Sequence, residues 1–476
     1  MSLTAVPDTT AKAWWARIPL VYWAFGVYFI LAVLHCKERM LNSDCSLQLF
    51  RSVNDRAFFF QEGRYGMFIT QLPMLVGVYL RLPMMAILVL YSEGLAATYG
   101  CCIFLAQRVF RSPVGALAIM LSLVVGVGDS FFHATTETHL LLALSGLLFA
   151  ALEWLSAGHR NARGYGVVVL ITVWCLFTHP NAQFTIGFVV GLLLLAGRIR
   201  IHESLGILGL CAVFFAVRLL MMREGSYDDR QFDELKGYAT HLSRFWELFP
   251  IWFIRQYLEN EYVAVVLILL LLVLFYRPIP RLMFTMAAAL FFWTLSVLTF
   301  HMGGVEAMME KAFMPGIFMV CLPFAWLCYH HAGSRIFRGA ALLLFCHSLI
   351  NIELHRRYYG DRLDAMSDLI IKHGSAAPKI LLRQEDFEGT VLHFSEWAMS
   401  IDALMLSRCS GDSARTIFLD KGQQECVAAL GDPRIFLYLP WDPLGAPSLD
   451  RYYFNLPSTP YRVVRAEFPP RNGRFH

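Results

Sequence analysis

"GDSFFHATTETHLLLALSGLLFAALEWLSAGHRNAR", residues 128–163, holds the fold in miniature. Its first twelve residues carry Asp129, His133, Glu137 and His139 and no Lys or Arg. An apolar run over 138–156 follows, close to the roughly 20 residues that a helix needs to cross a bilayer. Arg160 and Arg163 then close it. Basic residues concentrate in the loops that stay in the cytoplasm. The stretch therefore orients itself, with its acidic loop outside and its Arg loop inside.

The same pattern repeats along the chain. Apolar runs occur at 18–36, 82–106, 112–128, 138–156, 165–180, 182–197, 204–222, 261–276, 282–301, 312–329 and 336–352, about eleven candidate spans. The run "ITQLPMLVGVYL", 69–80, is too short to span and reads as re-entrant or interfacial. Alternate loops carry Arg108 and Arg111, Arg160 and Arg163, Arg198 and Arg200, Arg277 and Arg281, and Arg335 and Arg338, whereas "THPNAQ" has no basic residue. The alternation places the N-terminus, with Lys12 and Arg17, in the cytoplasm and the C-terminus outside. The first run has no small-residue cleavage site and reads as a signal anchor.

Composition agrees with this class. Of 476 residues 57% are hydrophobic and 16% charged, far from the balance of a soluble domain. No basic block or basic domain suggests a nucleic-acid partner. Absence of an N-x-S/T acceptor favours a bacterial inner membrane, with a periplasmic outer face, over the endoplasmic reticulum.

Residues 1–352 thus read as an all-α polytopic membrane domain, and 353–476 as a small extracytoplasmic α/β domain. In the latter the short β-prone runs "KILLR", "TVLHF", "TIFLD" and "RIFLYL" alternate with the helix-like "SEWAMSIDALMLS" and "GQQECVAAL". Cys409 and Cys426 can pair in an oxidising compartment, or stay free.

Polar residues in the outer loops supply the candidate site. Asp44, Gln48, Arg51 and Asp55 recur at helical spacing within the outer-loop helices of 41–68 and would form one polar stripe. Asp44 also suits a helix N-cap. Beyond it, "FFFQEGRYGMF" surrounds Gln61, Glu62 and Arg64 with apolar anchors. In the second loop Asp129, His133 and Glu137 are four apart, one face of a helix, where they can bind a divalent metal or a polar substrate or simply solvate a turn. A further outer segment holds His301, Glu306, Glu310 and Lys311, and the long loop 223–260 adds charged and aromatic residues. Glu93 sits near the middle of the second span, where a carboxylate is costly and suits a transport pathway or a bond to a neighbouring helix.

An N-in first span, a large first outer loop with an acid near its start, many short spans and an outer C-terminal domain resemble the GT-C superfamily of polytopic glycosyltransferases. In sequence the resemblance rests on "NSDCS" and "EGRY" in the first outer loop and "GDSFFHATTETH" in the second. There is no D-x-D pair in the first loop, since Cys45 and Ser46 follow Asp44. The resemblance implies transfer of a sugar from a polyprenyl-phosphate donor to a lipid, glycan or protein acceptor. It makes Asp44 the base, by its match to the family's first-loop acid, with Arg64 and Lys311 at the phosphate and Glu62, Asp129, His133 and Glu137 lining the site. A multi-span transporter and an envelope acyltransferase or ligase are the alternatives.

Overall fold

The structure, a computed structural model, describes residues 20–468 apart from 136, 223, 225–228, 231–232, 234–237, 259, 301–305, 394, 412, 422–428, 440–441 and 467. It is mostly helical, with a small β region near its C-terminal end. The chain opens with α1 (Leu20–Leu34), the amphipathic α2 (Ser43–Asp55) and α3 (Phe68–Tyr79). Then come α4 (Met84–Val109), α5 (Pro113–Val124), α6 (Glu137–Ser156), α7 (Ala162–Thr178), α8 (Ala182–Leu195) and α9 (Ile201–Met221). A short α10 (Phe249–Tyr257) precedes α11 (Val263–Phe275), α12 (Ile279–Thr299), α13 (Glu306–His330) and the 39-residue α14 (Arg335–His373).

Local chemistry sets several of these ends. Ser112 and Asn161 cap α5 and α7 by accepting the backbone N–H of Gly115 and of Gly164, each three residues on. Pro113 occupies the first turn of α5, where no N–H is needed. Six helices, α4, α6, α9, α12, α13 and α14, are long and apolar enough to cross a membrane. The other five apolar helices have 12–17 residues. At 1.5 Å per residue they reach roughly 18–26 Å, less than a ~30 Å hydrocarbon core. About eleven spans were expected; length and composition support six among the described residues.

Helices α6 and α13 form the middle of the bundle, 89% and 94% of their apolar windows being buried, whereas α9 is only 17% buried and lies at the periphery. Pro315 interrupts the hydrogen-bond ladder of α13. Nearby, Ser296 Oγ donates to the carbonyl of Ala312 (2.9 Å) and Trp293 Nε1 to that of Phe313 (3.2 Å). These bonds fix α12 against the turn that carries Lys311. The Arg-bearing loops gather at one end of the bundle, where Arg160 pairs with Glu203 (3.0 Å) and donates to the carbonyl of Arg198 (3.1 Å).

The division expected between 352 and 353 falls inside α14, which runs unbroken for roughly 58 Å. Beyond it, β1 (Lys379–Arg383) pairs in parallel with β2 (Thr416–Asp420), Lys379 opposite Thr416, and α15 (Met399–Ser410) makes the crossover. Strands β3 (Ile435–Leu439) and β4 (Asp442–Gly445) form an antiparallel pair, and β5 (Arg462–Val463) completes the order β2-β1-β5. "KILLR", "TIFLD" and "RIFLYL" are therefore strands. "TVLHF" instead holds a 3₁₀ turn at Val391–His393, because the Thr390 hydroxyl donates to Phe387 O and accepts Leu392 N–H. Most of "GQQECVAAL", including Cys426 and with it the pairing to Cys409, lies outside the described residues.

This region is docked on the bundle. Phe50 of α2 packs against Phe436, Tyr438 and Phe454, Arg56 pairs with Asp450 (2.7 Å), and Tyr453 donates to the carbonyl of Val78 (3.3 Å).

Candidate functional site

Helix α2 begins at Ser43, so the N-cap position is Asn42 and Asp44 lies in the first turn. The N-cap reading of Asp44 is therefore corrected. The amide of Asn42 reaches backward to the carbonyls of Glu38 (2.6 Å) and Phe132 (2.8 Å), tying the first loop to the second. Cys45 adds a second tie, its sulfur accepting from the N–H and hydroxyl of Thr135. The expected stripe divides. Asp44 and Gln48 face a cavity, while Arg51 and Asp55 pair with each other at 3.8 Å.

That cavity has a volume of about 950 Å³. Outer-face segments from across the chain reach it: Asp44 and Gln48 from α2, Glu62 and Arg64 from the turns after it, His133 and Glu137 from the second loop, His179 and Asn181 from "THPNAQ", and Lys311 from α13, while no described residue of the long loop 223–260 does. Ser395, Glu396 and Trp397 close it from the C-terminal region, and Phe184, Phe215, Phe292 and Leu295 form an apolar side. Six of the seven residues proposed from sequence thus meet, Asp129 being the exception. Glu137 starts α6 at the cavity, and Glu153 at the opposite end of α6, roughly 24 Å away, accepts from Ser112 (2.5 Å).

The charges on the wall are not equivalent. Arg64 donates to Glu137 at 2.8 Å, both side chains nearly buried, so this cation is already matched. Glu396 pairs with Lys421 and His393. Asp44 and Lys311 form no hydrogen bond or ion pair with any described residue. His133 and His179 are held well below the usual imidazole range, first by burial and then by nearby cations, Lys311 and Arg362 for His133 and Arg64, Arg218 and Lys311 for His179. Both are neutral at pH 7.

Two non-glycine residues in the left-handed region face each other at the seam of the wall: Ser43 (φ 43°) and Ser395 (φ 56°), joined by a short hydroxyl–hydroxyl hydrogen bond. Arg362 stabilises both sides, donating to the carbonyls of Leu41 (3.1 Å) and Ser395 (3.4 Å) and pairing with the fully buried Asp402 (2.5 Å).

Asp129 belongs to a second cluster. The segment Asp129–Phe132 is only one helical turn, His133 ends it, and Glu137 starts a new helix. The single face expected for Asp129, His133 and Glu137 does not form, nor does their metal trio. Instead Glu310 accepts the N–H groups of Gly128 (3.1 Å), Asp129 (3.0 Å) and Ser130 (2.8 Å). His355 lies between the carbonyl of Asn351 (2.8 Å) and the carboxylate of Glu261 (2.9 Å), and Tyr359 donates to Asp129 (3.3 Å). Ligand atoms of Asp129, Glu310 and His355 lie within 4.8 Å of one another. A metal needs an imidazole lone pair. Nδ1 must donate to a carbonyl and Nε2 faces the Glu261 carboxylate, a setting that suits a protonated ring, and the cluster reads as a buried ionic bolt. His355, Tyr359 and Arg362 follow i, i+4, i+7 spacing and share one face of α14.

Glu93 lies in α4 with both carboxylate oxygens buried and no hydrogen-bond partner among the described residues. Sequence reasoning missed His179, Asn181 and the Ser395–Trp397 wall; "THPNAQ" was visible only as a loop without basic residues.

No family model matches the chain, and no curated protein or solved structure matches it.

Proposed function

We propose that the chain is a membrane glycosyltransferase that moves a sugar from a polyprenyl-phosphate donor to a cell-envelope lipid, glycan or protein acceptor at the outer, periplasmic face of a bacterial inner membrane. One observation carries this reading: the cavity is bounded by an unmatched carboxylate, Asp44, and an unmatched ammonium, Lys311, with apolar helices on one side and polar loops on the other. A lipid-borne phosphate ester needs that combination. Helix α9, which contributes Phe215, is mostly exposed at the periphery, so a prenyl chain can lie along this side. In the proposed arrangement the five shorter apolar helices also cross, giving the GT-C-like set of about eleven.

In the reaction Asp44 accepts the proton of the acceptor hydroxyl as its oxygen bonds to the anomeric carbon. The bond from that carbon to the phosphate oxygen breaks, its electron pair leaves on the phosphate, and Lys311 offsets the charge. The step is a single inverting displacement without a covalent enzyme intermediate. The test is transfer by membranes carrying Asp44→Asn or Glu93→Gln. The first is expected to abolish transfer and the second to preserve it; full activity in Asp44→Asn would sink the base assignment. Transport is the second reading, favoured by the buried Glu93 carboxylate, and loss of uptake in Glu93→Gln alone would support it. Acyl rather than glycosyl product would point to an acyltransferase or ligase.

A further inference from the structure

The charge on the cavity wall goes further than a lipid phosphate in general. Among the described lining residues, the cations are Arg64 and Lys311, and Arg64 is matched by Glu137 at 2.8 Å. Lys311 is left as one positive charge facing Asp44 and the rim residue Glu62, both negative. A sugar held by one phosphodiester brings one ionised oxygen; a sugar held by a diphosphate brings two. Placing the second beside two carboxylates, with no further Arg or Lys among the described lining residues to meet it, is penalised by repulsion and by lost hydration.

The histidine at the end of α7 supplies what Lys311 alone does not. Its Nδ1 accepts the backbone N–H of Asn181 at 3.0 Å, and a nitrogen that accepts carries no proton. The proton of the neutral ring therefore resides on Nε2. The downward shift from burial and from Arg64, Arg218 and Lys311 keeps the ring neutral. His179 lines the cavity and Lys311 is close enough to influence its ring. A neutral N–H donor adds a hydrogen bond to a phosphoryl oxygen without adding charge.

Resting on the glycosyltransferase reading, we propose that the cavity selects a lipid donor with a single phosphodiester charge over one with a diphosphate, Lys311 pairing with the phosphate and the Nε2–H of His179 donating to it.

The experiment measures binding to the full chain in nanodiscs, with farnesyl methyl phosphate as the singly charged probe, farnesyl diphosphate as the multiply charged one and farnesol as the uncharged control. The phosphodiester is expected to bind at least tenfold tighter than the diphosphate. Lys311→Met loses at least tenfold in phosphodiester affinity, and Lys311→Arg retains it. His179→Ala loses several-fold, and His179→Gln, which keeps an N–H donor, restores most of it. Diphosphate binding equal to or tighter than that of the phosphodiester overturns the charge selection and leaves the glycosyltransferase reading standing. Equal affinity of His179→Ala and the unsubstituted protein overturns the histidine's part. If neither phosphate probe binds better than farnesol, the lipid-phosphate reading itself falls, and this inference with it.

Discussion

Two groups of charged side chains, both drawing on the outer loops and α13 and one of them also on α14, lie close together in the fold and have opposite characters. In the cluster of Asp129, Glu310, Glu261 and His355, the Glu310 carboxylate accepts three backbone N–H groups and both imidazole nitrogens face acceptors. On the cavity wall Asp44 and Lys311 meet no described partner. Both bring together charged side chains from distant parts of the chain. The difference is satisfaction: a buried charge that is already answered stabilises the fold, and one that is not remains available to a ligand.

That contrast can be broken from either side. The largest effect is expected in the bolt. Glu310→Ala strands three buried N–H groups and removes a charge from the cluster, which should cost about 3–5 kcal/mol. Thermal unfolding in detergent would show it as a large fall in Tm. A Tm equal to that of the unsubstituted protein would mean that the cluster holds nothing together.

Next comes the base. Asp44→Asn is isosteric and breaks no hydrogen bond or ion pair to a described residue, so Tm should stay put while transfer falls roughly 10²–10⁴-fold. A parallel loss of stability and activity would place Asp44 with the structural charges instead.

Asp402→Asn tests the clamp between them. Arg362 would keep its bonds to Leu41 and Ser395 but lose its ionic partner. A loss of about 1–3 kcal/mol in stability is expected, with transfer reduced less than in Asp44→Asn. Proteolysis of the region after α14 is the direct check, since a loosened wall is cut faster.

The smallest effect concerns pH. His133 and His179 are neutral in the fold, with pKa values below the unfolded value of about 6.5, so the unfolded chain binds more protons on acidification. Their contribution is complete above roughly pH 6.5 and is lost as pH falls below it, by up to about 1.4 kcal/mol per unit for each ring. The pH dependence of Tm should flatten in His133→Gln; an unchanged slope would show that His133 titrates alike in both states.

The sequence carried the loops more faithfully than the distances between them. A lack of Lys and Arg in "GDSFFHATTETH" and "THPNAQ" was enough to put these loops together, and both reach the cavity. Spacing misled where it assumed one helix. Thr135 gives its N–H and hydroxyl to Cys45, ninety residues earlier in the chain, and the turn there separates Asp129 from Glu137. No local pattern reveals that contact. The same holds for Ser395 and Trp397, which face Asp44 only because α14 carries the chain back over the first loop. Asn42 shows a smaller version: Asn and Asp suit a cap equally by type, and it is Asn42 that holds the position and turns its amide to the second loop.

The polar face of α14 binds these pieces to a common register. His355 and Arg362 are seven residues apart, roughly 10 Å along one rod, the first anchored to the bolt and the second to the seam at Ser395. One residue inserted between them would swing the second anchor about 100° around the axis. Neither end could then engage without releasing the other, so this short interval should tolerate substitutions at its outward positions far better than any change in its length.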